Sequence, residues 1–394
     1  MSQQLINRSP DLKQLRDEGY DIEVLSTFLL IKNIPYVNSN KEIKLGTLVS
    51  ELTMAGDVTT TPSTHVALFT GDHPCNKDGT EIKQIKHQSG NQVLGDGLEI
   101  NHSFSSKPTS GGYKDYYEKM TTYIAIISSQ AQSIDPSVTA KIFPVIEPTE
   151  GESVFVYFDT ASSRAGINLV SKKLEIEKIG IVGLGGTGSY VLDLVAKTPV
   201  REIHLFDGDK FLNHNAFRSP GAPLIGDLRN KPQKVAYFKE IYSRMHLNIV
   251  AHDCYIDSSN VDQLQGLNFV FLCLDGGEVK RLIVEKLVEL DTPFIDVGLG
   301  VELDNESLGG ILRITTSTVE NREHLMSKDR ISFSVENGNN DYSKNIQIAD
   351  LNALNAALAV IKWKKLFGFY RDLEKENFCA YTIDGNSLIN DDQL

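Results

Sequence analysis

The sequence predicts an α/β protein: a mostly parallel sheet with flanking helices over residues 161–394, preceded by an α+β domain over residues 1–160. Three observations carry that expectation. From residue 174 onward, short apolar runs alternate with helix-length amphipathic segments, which is the signature of βαβ units. The first of these runs leads into a glycine cluster that opens a helix. Residues 147–152, EPTEGE, form a Pro/Gly/acidic stretch typical of a surface connection.

Taken in order, residues 1–146 mix short strand-like runs, such as His65–Phe69, with turn signals such as Lys77-Asp78-Gly79. Residues 114–133 read as a helix. The run 154–158 (VFVYF) reads as the last strand of the first domain. IEKIGIVG (176–183) is then a buried strand and 189–197 a helix. EIHLFDGD (202–209) is a second strand, ending on acids. A helix over 233–247, a strand over 248–256, a short helix over 258–264 and the apolar strand FVFLCLD (269–275) follow. After them come a helix over 279–290 and a strand over 293–300. The stretch 317–345 is polar and turn-rich, long for a connection inside a compact domain. Residues 346–367 form a long helix whose buried face is expected to carry Ile348, Leu351, Leu354, Leu358 and Ile361, a purely structural element. The tail 384–394 is expected to fray.

The charge balance narrows the partners. With 39 Lys plus Arg against 52 Asp plus Glu, the net charge is −13, which argues against nucleic acid as the main ligand but leaves room for a small basic pocket for a nucleotide. Four cysteines, at 75, 254, 273 and 379, make neither a disulfide framework nor a CxxC pair, so a reducing cytoplasm is expected. Cys254 and Cys273 read as small core residues. The N-terminal segment lacks an apolar signal-peptide core, and no run approaches the ~18–20 apolar residues of a membrane span. Membrane association is not expected.

The chemistry concentrates in the second part. Gly183-Leu-Gly185-Gly186-Thr-Gly188 fits GxGxxG between a strand and a helix. Such a segment lets backbone N–H groups and a helix N-terminus approach phosphates. Asp207, 24 residues after Gly183 at the end of the next strand, is placed to accept hydrogen bonds from a ribose, with Asp209 as the alternative. At this point NAD and ATP are equally good ligands. Ser189 rather than Lys follows Gly188, so there is no Walker A lysine and the cations for a triphosphate must come from elsewhere.

The ordered set that follows is Asp207-Gly-Asp209, Asn215-Ala-Phe-Arg218, Lys231-Pro-Gln-Lys234 and Cys273-Leu-Asp275. Over roughly residues 165–370 it resembles the ThiF/MoeB/ubiquitin-E1 adenylation family. The resemblance implies a Rossmann-like domain that uses ATP and Mg²⁺ to adenylate the C-terminal carboxylate of a ubiquitin-like, β-grasp protein. It implies Arg218 and Lys234 on the phosphates, with Lys231 as a substitute for Lys234, and Asn215 nearby. It further implies Asp207 on the ribose and Asp275 on Mg²⁺. It also implies a two-fold homodimer in which an arginine before the first strand, here Arg164, reaches the partner's site. Departures are Ser219 in place of the usual glutamine, Lys231 in place of a glycine, no zinc CxxC pairs, and no cysteine in 317–345. Transthiolation from that stretch is therefore unsupported, leaving Cys379 and Cys75 as alternative carriers. An NAD-dependent oxidoreductase and a non-catalytic pseudoenzyme remain as other readings.

The first domain carries four histidines (65, 73, 87, 102) and Cys75 within 38 residues, a conceivable metal set without a known ligand spacing. With its Asn101–Pro108 and Gly111–Tyr117 segments, it resembles an uncharacterised family fused to bacterial ThiF-type enzymes. Such fusions resemble components of bacterial ubiquitin-like modification systems, some of them anti-phage. Partner or substrate recognition is the expected role of this domain.

Overall fold

The computed structural model describes residues 2–148, 151, 153–275, 277–333 and 346–393, apart from the side chains of Ser2 and Met326. Thr149, Glu150 and Glu152 of the connecting stretch, Gly276 and residues 334–345 lie outside the described residues. The chain divides into two compact units: Met1–Thr149 with Phe158–Ala165, and Glu150–Tyr157 with Gly166–Leu394.

In the first unit, helices α1 (Ser2–Arg8) and α2 (Pro10–Asp17) precede an antiparallel sheet. Its strands are β1 (Asp21–Leu25), β2 (Phe28–Val37), β3 (Ile43–Glu51), β4 (Val66–Thr70), β5 (Lys86–Val93) and β6 (Glu99–Ser105), in the order β1-β2-β3-β4-β6-β5. Alternation along β2 to β4 turns Leu29, Ile31, Leu48 and Phe69 inward. They meet Tyr116, Met120, Tyr123 and Ile127 of helix α3 (Tyr116–Ile134) in one core. Asp115 starts α3 by accepting the Glu118 amide, the usual way of satisfying an orphan N–H at a helix start. The segment Phe158–Ala165 is tied to this unit by Arg16, whose guanidinium donates to Ser163 Oγ (2.9 Å) and lies over the Phe158 ring.

The second unit is built on an eight-stranded sheet. Strands β7 (Lys178–Val182), β8 (Glu202–Phe206), β9 (Ile249–His252), β10 (Phe269–Leu272) and β11 (Phe294–Asp304) are parallel, in the order β9-β8-β7-β10-β11. Strands β12 (Ser307–Ser317), β13 (Phe378–Thr382) and β14 (Ser387–Asp391) extend it as an antiparallel meander. Helices α4 (Gly186–Val195), α5 (Lys234–Tyr242), α6 (Glu278–Glu289) and α7 (Ala349–Leu366) accompany the sheet. This is the α/β, Rossmann-like, mostly parallel architecture that the sequence predicts. Strand order reverses between β7 and β10, which places a crevice at their C-terminal ends.

Three expectations are corrected. Residues 154–158 are no strand of the first domain: Phe155 makes an isolated bridge to His246 in the second unit, with the Leu247 amide donating to the Val154 carbonyl at 2.7 Å. The tail does not fray as a whole, because Ser387–Asp391 pairs with β13 and Asp392 binds Arg330 Nε at 2.8 Å. Helix α7 buries a different face from the expected one. Asn352, Asn355, Ala356, Ala359, Val360 and Trp363 turn inward, whereas Leu354 and Ile361 are exposed. The first turns of α7 meet the glycine-rich start of α4 through Asn352, where a small or polar face lets the two backbones approach, while Ala359, Val360 and Trp363 pack into the sheet core.

Candidate nucleotide site

A cavity of about 410 Å³ opens at the switch point. Its walls come from the loop after β7 (Gly183, Gly185, Gly186), the end of β8 (Asp207, Asp209) and Arg218. Lys234, the segment Cys254–Ile256 after β9, Cys273–Asp275 after β10, and Val297, Leu299 and Gln347 also line it. Such a volume suits a small organic ligand.

Local packing explains the glycine spacing. A Cβ on Gly188 would lie 1.9 Å from the Gly183 carbonyl oxygen, so strand and helix meet there backbone to backbone. A Cβ on Gly186 would lie 2.1 Å from Asn352 Nδ2 of α7. Asn352 is fully buried; its Oδ1 accepts the Thr187 hydroxyl at 2.8 Å and its Nδ2 has no partner among the described residues. Gly188 therefore serves helix–strand packing and does not line the cavity, while the other three glycines do.

The carboxylates and cations are held by a zipper between two loops. The Lys234 amide donates to the Asp209 carbonyl (2.9 Å) and the Phe211 amide to the Pro232 carbonyl (2.7 Å). This fixes the first residue of α5 over the end of β8. Asp207 is buried: its Oδ2 accepts the Leu184 amide (2.7 Å) and its Oδ1 the Asp209 amide (2.8 Å), so it ties the glycine loop to the acidic turn. Lys234 Nζ, also buried, lies 2.6 Å from Asp209 Oδ2 and 3.4 Å from Asp207 Oδ2. The Lys234 ammonium, and after it the Tyr255 hydroxyl, hold the half-exposed Asp209 carboxyl below its ordinary pKa. Asp275 is exposed at the end of the β10 segment, and Arg218 lines the cavity with its Nε buried and without a partner among the described residues. A buried guanidinium N–H left in that state is costly until an anion meets it.

The remaining expected residues fall elsewhere. Asn215 does not line the cavity: its Oδ1 accepts the Leu212 amide (2.8 Å) and its carbonyl accepts the Ser219 hydroxyl, so the pair shapes the turn that presents Arg218. Lys231 is exposed, outside the cavity, with φ +49° at the end of the short helix Ile225–Asn230. It occupies a left-handed position of the kind that favours glycine. Arg164 belongs to the first unit, its guanidinium 5.1 Å from the Phe143 ring centroid. Cys254 and Cys273 pack against the core, as expected, and also line the cavity; burial pushes both thiols up. Cys379 sits on β13 with its pKa pushed up to about 11 by burial. Cys75 is buried, and its thiol is raised by that burial and then by Glu81, Asp72 and Asp78, the opposite of a reactive setting. Among the described residues no group of three His, Cys, Asp or Glu is placed to hold a metal ion. None of their helices is long and apolar enough to cross a membrane.

Several lining residues escaped sequence reasoning. Tyr255, Ile256 and Gln347 belong to loops, and Val297 and Leu299 lie inside β11, with no motif of their own. Asn352 carried one faint signal, a polar residue three positions before Asn355 within the otherwise apolar stretch 351–361.

Fold and cavity together define a doubly wound α/β domain with its ligand crevice at the topological switch point. Residues 161–311 match the ThiF family and form a ThiF-family domain. Residues 10–160 match the family described as Domain of unknown function (DUF6791). Among curated proteins, the chain is similar to "Adenylyltransferase and sulfurtransferase UBA4" of Saccharomyces cerevisiae (strain ATCC 204508 / S288c). The two are 28% identical over 134 residues, which is 33% of this chain and 30% of that protein. The match thus spans under a third of that relative's length. Among solved structures, PaaA aligns with TM-score 0.45 and 16% identity, covering 57% of this chain and 76% of that one. E. coli MccB with ATP aligns with TM-score 0.44 and 18% identity, covering 59% and 69%.

Proposed function

We propose that this protein activates a carboxylate by adenylation with ATP, and that the carboxylate is the C-terminus of a small ubiquitin-like protein. The observation that carries the reading is the buried Nε of Arg218, without a partner among the described residues, in a cavity shared with Lys234 and the start of α4. That combination asks for a polyanion. Family membership and the adenylyltransferase name of the yeast relative supply the reaction class.

In this reading Arg218 and Lys234 hold the phosphates, while Asp207 and Asp209 face the ribose. A carboxylate oxygen of the substrate attacks the α-phosphorus, the bond to the bridging oxygen breaks, and pyrophosphate leaves with that electron pair. The product is an acyl adenylate. Both reactants are anionic, so fixed cations lower the barrier more than a general base would. The lining carries three carboxylates (Asp207, Asp209, Asp275) against two cations (Arg218, Lys234), a net charge of −1 before any phosphate enters. A divalent cation therefore fits, with Asp275 as its protein ligand, and Mg²⁺ there would neutralise phosphate charge. The first unit would recognise the protein substrate or its target. A homodimer would bring Arg164 to the partner's site.

ATP–pyrophosphate exchange tests this. The expected result is exchange that requires Mg²⁺ and a ubiquitin-like protein with an intact C-terminal residue. Asp275→Ala should lower it by about 100-fold or more. Exchange that persists in Asp275→Ala, or a chain that binds no ATP, would sink the reading.

A further inference from the structure

Tyr255 stands apart from every residue the motifs single out. It follows β9, lines the cavity, and keeps 64% of its surface exposed. Two contacts fix it there. Its hydroxyl donates to Asp209 Oδ1. Its ring lies over Gly208, the middle residue of the Asp207-Gly-Asp209 turn, where a Cβ would come within 2.8 Å of the ring carbons. One aromatic face is therefore packed on backbone, and the ring edge is pinned to a carboxylate that itself binds Lys234 at 2.6 Å. The cavity lining mixes apolar side chains, among them Cys254 and Ile256 on either side of Tyr255 in the chain, with Asp209, Arg218 and the glycine segment.

We propose that Tyr255 selects the base of the nucleotide: its pinned ring is the aromatic platform on which a purine stacks, beside the ribose-facing carboxylates. This rests on the adenylation reading and adds to it the determinant of base preference. An exposed phenol with no reason to be ordered would lose rotamer entropy on binding; the bond to Asp209 and the seat on Gly208 remove that loss beforehand. Stacking on an aromatic side chain depends on ring area, and purines offer more than pyrimidines.

Calorimetric binding of ATP, CTP and inorganic tripolyphosphate to the full-length chain tests it, in wild type, Tyr255→Phe, Tyr255→Ala and Gly208→Ala. Tyr255→Ala is expected to weaken ATP about tenfold or more and to bring ATP and CTP together, with tripolyphosphate unchanged. Tyr255→Phe keeps the ring and is expected to stay within about threefold of wild type. Gly208→Ala displaces the ring and is expected to follow Tyr255→Ala. Unchanged ATP affinity in Tyr255→Ala overturns the proposal alone. So does equal weakening of ATP and tripolyphosphate, which would make the residue a mere support for Asp209 and Lys234. Wild type that fails to bind ATP overturns the adenylation reading as well.

Discussion

Replacing Gly186 by alanine inserts a methyl group 2.1 Å from Asn352 Nδ2, 2.4 Å from its Cγ and 2.6 Å from its Oδ1. Asn352 is 0% exposed and bonded to Thr187, so it has nowhere to withdraw. Overpacking of that kind costs about 1–3 kcal/mol. Asn352→Ala alone removes the crowding group but leaves the Thr187 hydroxyl without its acceptor, a loss of about 1–3 kcal/mol. In the double variant the alanine at 186 enters the space the carboxamide left. The two changes should therefore be less than additive, with a favourable coupling of about 1–2 kcal/mol. Gly188→Ala is the control. Its Cβ meets the Gly183 carbonyl oxygen at 1.9 Å, which is backbone, and Asn352→Ala cannot relieve it. The assay is built into the chain: its one tryptophan, Trp363, is fully buried in the core of the second unit. Urea unfolding followed by tryptophan fluorescence thus reads this unit, even if the first melts separately. A cycle that is additive at Gly186, or equal rescue at Gly188, would refute the packing argument.

Three further outcomes are expected. Lys119 is fully buried in α3, donates to Ser50 Oγ (2.8 Å) and the Thr64 carbonyl (2.9 Å), and has its pKa lowered to about 8 by desolvation. Between about pH 8 and 10.5 the unfolded chain binds the proton that the native state has lost, so stability relative to Lys119→Met should rise with pH, by about 3 kcal/mol in total. Denaturation of both proteins across that range, followed by circular dichroism, checks it, and a flat difference would refute it. If Arg164 acts across a dimer, mixing Arg164→Ala with Asp275→Ala subunits restores one intact site in each hybrid, or about a quarter of wild-type exchange after random reassortment; no recovery would place Arg164 outside the partner's site. The burial and surrounding acids of Cys75 predict slow alkylation in the native protein and a normal adenylation rate in Cys75→Ser, measured by iodoacetamide labelling and pyrophosphate exchange.

The parallel half of the second unit was legible because its information is local. Each of β7, β8 and β10 is a short apolar run, and the glycines and acids sit at strand ends where a period and a spacing reveal them. Asp207 and Asp275 line one cavity because βαβ topology brings successive strand ends to one edge of the sheet, and Arg218 and Lys234 reach it from the connection that runs from β8 into α5. The misreadings share the opposite cause. Helix α7 has leucines and isoleucines at helical spacing, and periodicity alone makes them its buried face. Its first turns meet the glycine start of α4, some 165 positions earlier in the chain at Thr187 and Asn352, where only a small, polar face fits so close an approach. Tyr255 was hidden in the same way, since what gives it a role is Gly208, a residue that the acidic motif leaves variable. An apolar stripe identifies a buried face only when the partner surface is itself apolar and roomy. Beside a loop whose backbone must stay open to a ligand, the rule inverts, and an asparagine flanked by alanines becomes the signal to look for.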